Sequence, residues 1–308
     1  MNIALMVFRR FKVHWTRRLS LWPLLAAWSL PVLAADPPVA QEQIKQWQAA
    51  AEKGDAASQH RLGLAYEKGS GVSTNAAEAA QWYRKAAEQG LAAAQFKLGL
   101  AYLKGNGVER DAPAAIEWIR KSVAQGNARA QAYLGLMYHQ GLGVTKDEVE
   151  GTQWYRKAAD QGLAEAQAEL GLAYSNARGV SRDPAEAVKW FRKAAEQGYA
   201  EAQHLLGSAY LVGEGVPKDP SEAVKWYRQA ASQGLVKAQS ILGGLYYEGR
   251  VIPRNLVESW KWIHLATAQT PNQSITCGEL ELFMTPEEIK EAAKLSAEFV
   301  PRKIYETE

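Results

Sequence analysis

The chain has 308 residues, of which 47% are hydrophobic and 22% are charged, as is typical of a soluble protein. Its formal net charge of +3 is misleading, because residues 1–35 hold five basic residues and no acidic one, which leaves 31 basic and 33 acidic residues, a net charge of −2. The remainder therefore lacks the basic surface that nucleic-acid binding requires.

Residues 1–34 are predicted to be a secretory signal sequence. Basic residues extend to Arg18, an apolar run of 15 residues follows from Leu19 to Leu33, and Ala34 completes a small-residue cleavage site. We expect cleavage and export to the periplasm or beyond. The alternative is a retained anchor, but the run is shorter than the roughly 20 residues that span a bilayer.

Residues 35–54 read as a capping helix, because Trp47 to Gly54 repeats the end of the unit that follows. A solenoid exposes an apolar face at each end, and an atypical terminal helix covers it.

Residues 55–270 contain six copies of a 36-residue unit without a slipped residue. Each copy holds a Leu-Gly glycine, at Gly63, Gly99, Gly135, Gly171, Gly207 and Gly243. Each also holds a tryptophan, at Trp82, Trp118, Trp154, Trp190, Trp226 and Trp262. A fixed period of this length indicates stacked units of secondary structure. The absence of hairpin signals favours an all-α fold with two helices per unit.

The glycine in the middle of each first helix costs about 1 kcal/mol relative to alanine. Its recurrence predicts that a neighbouring helix backbone passes too close for a Cβ. The tryptophans on the second helices are expected to be buried and to be the main stabilisers.

The second helices are predicted to begin after an N-cap residue, which is Asn75, Asp111, Asp147, Asp183, Asp219 or Asn255. Glutamates three residues later predict capping boxes in five units, at Glu78, Glu150, Glu186, Glu222 and Glu258. Their regular recurrence favours capping over metal or acid–base chemistry.

The Gly-x-Gly loops after the first helices indicate helix ends, since they follow no strand and open no phosphate-binding helix. The fourth loop, Ala177-Arg178-Gly179, and the sixth, Gly249-Arg250-Val251, are expected to differ in shape. The arginines of the second helices are interpreted as a solvated outer face, with a basic ridge as the alternative; they are Arg84, Arg120, Arg156, Arg192 and Arg228.

Residues 271–308 are predicted to form C-terminal capping helices, the last one beginning after Thr285 and running to about Phe299. Cys277 is the single cysteine of the chain, so no intrachain disulfide can form. We interpret it as an inert thiol, with a redox site as the alternative.

The unit, with its Leu-Gly-x-x-Tyr and Trp-Tyr-Arg-Lys-Ala-Ala-x-Gln-Gly segments, resembles the Sel-one-like repeat (SLR), a longer relative of the tetratricopeptide repeat. The resemblance implies a right-handed α/α superhelical solenoid that scaffolds protein complexes. Some exported bacterial members contact the envelope or host molecules. Cysteine-rich relatives have been linked to penicillin binding and hydrolysis, which leaves an enzyme as the alternative function, although the paired cysteines of those relatives are absent here.

In such solenoids the first helices line the concave surface, and recognition is expected where the units differ. The candidate binding residues are Arg61, Phe96, Lys97, Tyr133, Met137, His139, His204, Leu211 and Tyr247. They predict a groove that is basic near its start and apolar near its end, suited to a protein segment with acidic residues at one end and apolar anchors at the other. The alternative is that several of these side chains pack between adjacent units.

No catalytic motif is present, and the histidines are far apart in sequence. We therefore expect a non-enzymatic scaffold in the cell envelope that is a monomer, binds a protein or peptide partner, and uses no metal, cofactor or nucleic acid.

Overall fold

The computed structural model describes residues 41–270 and 276–302, and the predicted signal sequence lies outside these ranges. Within them the chain forms helices joined by turns and no β-strand. The helices are α1 Gln41–Glu52, α2 Ala56–Lys68, α3 Ala76–Glu88, α4 Ala92–Lys104, α5 Ala112–Ala124, α6 Ala128–Gln140, α7 Glu148–Asp160, α8 Ala164–Asn176, α9 Pro184–Glu196, α10 Ala200–Val212, α11 Pro220–Ser232, α12 Val236–Glu248, α13 Leu256–Gln269, α14 Cys277–Glu281 and α15 Pro286–Ala297.

Helices α2 to α13 form six consecutive pairs, and the first helix of each pair packs along the second. Each first helix also packs against the second helix of the preceding pair. Helix α1 covers the first pair, and α15 packs on α13 at the other end. The architecture is the predicted α-solenoid, whose core is a series of clusters between neighbours.

The glycine in each first helix makes room for a side chain of the second helix. A Cβ on Gly63 would lie 2.4 Å from Cε1 of Tyr83. A Cβ on Gly99 would lie 2.7 Å from Cγ1 of Ile119 and 3.0 Å from the carbonyl oxygen of Ala115. The predicted close approach is confirmed, but in most units the nearest group is a side chain and the backbone comes second.

The residue after each tryptophan fills this space and is buried in all six units. These residues are Tyr83, Ile119, Tyr155, Phe191, Tyr227 and Ile263. Trp190 and Trp262 are buried as well, but the other four repeat tryptophans are only partly buried, so the prediction of six buried tryptophans is wrong for those four. A lysine three residues later covers most of these rings, as where Nζ of Lys85 lies 4.0 Å from the Trp82 ring centroid.

All six second helices begin after the predicted N-cap residue, whose side chain accepts a hydrogen bond from a first-turn backbone N–H. The predicted capping boxes are wrong, because the N-cap backbone N–H donates instead to a tyrosine carbonyl oxygen of the preceding first helix, as from Asn75 to Tyr66 at 2.9 Å. Glu150 accepts a hydrogen bond of 2.8 Å from the indole Nε1 of Trp154. Glu222 forms an ion pair with Lys225. These glutamates are free to take such partners because the N-cap N–H is already satisfied.

The first helices end at a residue in the left-handed conformation. Five of these residues are glycines: Gly69, Gly105, Gly141, Gly213 and Gly249. Ala177 takes the same conformation, with φ of 55°. The fourth loop therefore differs in sequence but keeps the same helix end, contrary to the expectation.

The last helix begins at Pro286, as predicted, and Thr285 and Glu288 form a reciprocal capping box there. Ala292 of this helix is buried. After the helix, Phe299 packs edge-on against Trp262, with ring centroids 5.6 Å apart. The C-terminal segment thus covers the apolar face of the sixth unit.

A buried glutamine lies near the start of each first helix, and all of them except Gln131 bond to the preceding helix. These residues are Gln59, Gln95, Gln131, Gln167, Gln203 and Gln239. Nε2 of Gln203 donates to the Ala195 carbonyl of the preceding second helix at 3.2 Å, and its Oε1 accepts from Gln233 of its own unit at 2.8 Å. Gln59, Gln95, Gln167 and Gln239 make the same two bonds. The sequence interpretation missed these residues, although their 36-residue recurrence was the available signal.

Two adjacent glycines of α12 provide a matched test of the glycine packing. A Cβ on Gly243 would lie 2.6 Å from Cγ1 of Ile263, whereas one on Gly244 meets nothing within 4 Å. Gly243→Ala should therefore lower the free energy of unfolding by roughly 1–3 kcal/mol through overpacking. Gly244→Ala should raise it by about 0.5–1 kcal/mol through helix propensity. Urea unfolding followed by circular dichroism measures both, and equal effects would contradict the packing argument.

Candidate functional site

The solvent-facing side of the six first helices, α2, α4, α6, α8, α10 and α12, is called here the first-helix face. Of the candidate binding residues, Arg61 is exposed on it. Lys97, His204, Leu211 and Tyr247 are half-buried. These five residues therefore reach solvent on one layer of the solenoid.

Four candidate residues do not reach this surface. Phe96 is 4% exposed, Tyr133 1%, Met137 0% and His139 5%, so their predicted outward orientation is wrong. The rings of Phe96 and Tyr133 meet edge-on across the second and third units, with centroids 5.8 Å apart. The alternative, packing between adjacent units, holds for Phe96 and Tyr133, whereas His139 packs on Tyr155 of its own unit.

Charges on the first-helix face are paired between units. Nζ of Lys97 lies 3.0 Å from Oε2 of Glu67, which also accepts a hydrogen bond from the Tyr83 hydroxyl. Lys237 and Glu201 form a similar cross-unit pair at 3.6 Å. Pairing offsets part of the basic character expected near the start of the face and leaves Arg61 as the exposed candidate cation there.

Histidines of the first helices lie in apolar surroundings beside aromatic rings of the second helices. Burial, with Lys97 nearby, lowers the pKa of His60 to about 4. Burial and the charge of Arg178 lower the pKa of His139 to about 4, and this ring stacks on Tyr155 with centroids 5.2 Å apart. Burial and Lys237 likewise lower the pKa of His204 to about 4. All three are therefore neutral packing residues near pH 7.

Glu169 is the buried carboxyl group of the first-helix face, with 8% of its surface exposed. Its nearest cation is Arg178, whose Nη2 lies 3.9 Å away, too far for a good hydrogen bond. Burial raises the pKa of Glu169 to about 7, partly offset by Arg178. This carboxyl group titrates in the physiological range.

Cys277 has a histidine neighbour, with Sγ 4.0 Å from Nδ1 of His264. Burial and the nearby Glu281 raise the pKa of the Cys277 thiol to about 11, so it stays protonated. Among residues 41–270 and 276–302, no group of three or more histidine, cysteine or acidic side chains is arranged to hold a metal ion.

Arginines of the second helices brace the following unit. Nη2 of Arg84 donates to the Tyr102 hydroxyl at 2.6 Å, and Arg192 donates to Tyr210 at the same distance. Two further pairs repeat the contact, Arg156 with Tyr174 and Arg228 with Tyr246. The interpretation of these arginines as a solvated face is thus incomplete. Four of the five bond to a tyrosine of the next unit, 18 residues further along the chain.

A solenoid of helix pairs whose neighbours are tied by buried amides, and whose variable side chains gather on one face, defines the class of helical-repeat scaffolds. Six consecutive segments match the Sel1 repeat: 56–91, 92–127, 128–163, 164–199, 200–235 and 236–270. The chain belongs to the Sel1 repeat family, whose members generally mediate protein–protein interaction on a non-catalytic scaffold.

Solved structures agree with this assignment. A Sel1 repeat protein from Oxalobacter formigenes is 38% identical, covers 73% of this chain and 90% of its own, and has a TM-score of 0.67. An immunity protein from Pseudomonas aeruginosa is 21% identical, covers 84% of this chain and 90% of its own, and has a TM-score of 0.52, a likeness of fold alone. No curated protein matches the chain.

No helix within residues 41–270 and 276–302 combines the length and the apolar character that crossing a bilayer requires.

The three histidines of the first helices predict a stability that falls with acidification. Because the pKa values of His60, His139 and His204 are depressed in the fold, their contribution is present above about pH 6.5 and is lost as the pH falls toward 4. For His204 this loss is on the order of 2 kcal/mol at pH 5. Glu169 acts in the opposite sense, since its raised pKa favours the folded state at lower pH.

Urea unfolding at pH 7.5 and pH 5 measures these contributions. His204→Phe, which keeps a ring beside Tyr227, should lose less stability on acidification than the parent protein. Glu169→Gln should lose more, because it removes the offsetting protonation. Identical pH dependence in all three proteins would refute the assignment of the titrating groups.

Proposed function

We propose that the protein is a non-enzymatic interaction scaffold of the cell envelope that binds a protein or peptide segment along the first-helix face. The main support is that side chains on this face vary between units, whereas the glycines, tryptophans and glutamines that hold the helices together recur in every unit. Leu205, Leu211, Ile241 and Tyr247 give its second half an apolar, half-buried surface. Arg61 gives its first half an exposed positive charge.

The chemistry of the face specifies the partner segment. Half-buried aliphatic and aromatic side chains stabilise a complex by burying apolar anchors, and aromatic anchors contribute disproportionately to binding. An exposed arginine adds orientation through a carboxylate on the partner. The partner segment therefore carries acidic residues at one end and large apolar residues at the other.

Export places the scaffold outside the cytoplasm in this proposal. The support is the basic start, apolar run and small-residue cleavage site of residues 1–34. A fold with one half-buried cysteine needs no disulfide to be stable in an oxidising compartment, because its helices are joined by packing and buried hydrogen bonds.

Site-specific photo-crosslinking in the native cell tests the binding face. A photoreactive phenylalanine at position 211 or 247 should give discrete adducts, whereas the same group at Lys189 or Lys225, exposed on the second helices, should not. Arg61→Glu should reduce the adducts severalfold, and the matched reversal Lys189→Glu should leave them unchanged. Equal adduct patterns from both faces would exclude the first-helix face as the binding site.

The export part of the proposal has its own measurement. Protein isolated from the periplasmic or culture fraction should begin at Ala35, as read by N-terminal sequencing, because the predicted cleavage follows Ala34. Arg9 and Arg10 changed to glutamate should slow processing, since the basic region orients the signal. An uncleaved chain confined to the cytoplasm would contradict export.

A further inference from the structure

The junction between the second and third units, where α5 meets α6, differs in sequence from the other four junctions. The end of α5 carries Ser122 and Val123 where the others have two alanines, and Asn127 follows where they have leucine or tyrosine. Those leucines and the tyrosine pack against core clusters. Asn127 instead caps its own helix at the Ala130 N–H, and Ser122 donates within its own unit to the Ala92 carbonyl at 2.7 Å.

The glutamine link is incomplete at this junction. At the other four, Nε2 of the first-helix glutamine donates to the carbonyl of the second of the two alanines. That bond would join Gln131 to Val123 here, and it is absent from the hydrogen bonds of the described residues. Gln131 keeps only the bond that it accepts from Gln161 in its own unit, at 2.7 Å. The larger Val123 side chain accounts for the separation.

The arginine link is missing as well. The other four junctions each hold an arginine that donates to a tyrosine hydroxyl and lies over its ring. Arg120 and Tyr138 occupy these positions here, and within the part of the chain that the structure describes they form neither contact. A second independent polar link is therefore lost at the same place.

The loop contact is also different. A Cβ on the second loop glycine would lie about 2 Å from the carbonyl oxygen of the first residue of the preceding second helix in three units, at Gly107, Gly179 and Gly215. For Gly143 the nearest atom is Cδ1 of Ile116, at 2.7 Å, and the Ala112 carbonyl is more than 4 Å away. Ile116 thus stands between the loop and the helix.

We propose that the junction between the second and third units is a hinge, about which α1 to α5 turn as one body relative to α6 to α13. The glutamine bond, the arginine bond and the close loop approach are absent there, and α5 and α6 make markedly fewer close backbone contacts than the helices at the other junctions. What remains is apolar packing, including the Phe96 and Tyr133 rings. Apolar contacts are non-directional, so they slide without breaking a buried hydrogen bond.

The hinge divides the first-helix face. Arg61 and Lys97 lie on one side of it, and His204, Leu211 and Tyr247 lie on the other. If the proposed binding face is correct, hinge rotation changes the distance between its charged and apolar halves, so that the solenoid adjusts to its partner segment. The hinge itself does not depend on that partner.

Amide hydrogen exchange of the intact protein tests the hinge without a ligand. Residues 131–134 should exchange at least about fivefold faster than residues 203–206, which occupy the same repeat positions, because one lost hydrogen bond changes local opening by about that factor. Equal protection after correction for intrinsic rates would overturn the proposal.

Substitutions at two matched junctions extend the test. Ser122→Ala, Val123→Ala and Asn127→Leu together should bring the exchange of residues 131–134 down to that of residues 203–206. Ala194→Ser, Ala195→Val and Tyr199→Asn together should raise the exchange of residues 203–206, at the junction between the fourth and fifth units, by a similar factor. The first triple variant is called the restoring variant. If it leaves the exchange of residues 131–134 unchanged, the three substituted side chains do not create the hinge.

Distance distributions separate a hinge from local fraying. The label sites are introduced in a Cys277→Ser background. Spin labels at positions 81 and 153 lie in the first and third units, on either side of the proposed hinge. Labels at positions 153 and 225 lie in the third and fifth units and serve as the control, because they are separated by the same number of units but do not span the hinge. The first pair should give a distribution at least about twice as wide as the second, narrowing in the restoring variant. Equally narrow distributions would show that the two bodies do not move, whatever the exchange rates.

Discussion

The side-chain amide of the first-helix glutamine joins the preceding helix to the end of the second helix of its own unit, at every repeat except that of Gln131. In the fifth unit Gln203 donates to the preceding second helix and accepts from Gln233 of its own unit. A buried amide without partners costs free energy, so these two bonds fix the distance between successive units as well as stabilising them. Wherever both bonds are made, the spacing of successive units is the same.

The remaining contacts act at two levels, within a unit and between successive units. The glycine of each first helix lets an aromatic or aliphatic side chain of the second helix enter, so the two helices of a unit approach closely. The arginine-to-tyrosine bonds and the loop contacts then join one unit to the next. Four of the five junctions therefore combine apolar packing with directional bonds, and the one that lacks these bonds is distinguished by Val123, Asn127 and Ile116.

Side chains that vary between units are divided by this geometry into two groups. Phe96, Tyr133 and Met137 lie between successive first helices and stabilise the stack. Arg61, Leu211 and Tyr247 reach solvent on the same layer. Helical periodicity places both groups on one side of the helix and gives no measure of how near the next first helix lies. That is why the sequence predicted one continuous groove, whereas the structure encloses its middle.

The sequence alone determined the 36-residue unit, the two helices in each copy and their ends. N-cap residues such as Asp183 and the glycines after the first helices act through local hydrogen bonds and backbone conformation, which a short segment specifies by itself. Tertiary structure decided which large side chains are buried, where the N3 glutamates turn and which junction lacks its polar links. These features depend on residues of other helices, such as Tyr102 for Arg84 and Tyr66 for the N–H of Asn75, and on whether Val123 or alanine sets the separation between helices. The repeated sequence therefore determines the structure of each 36-residue unit, and contacts between units determine which of its side chains remain on the surface.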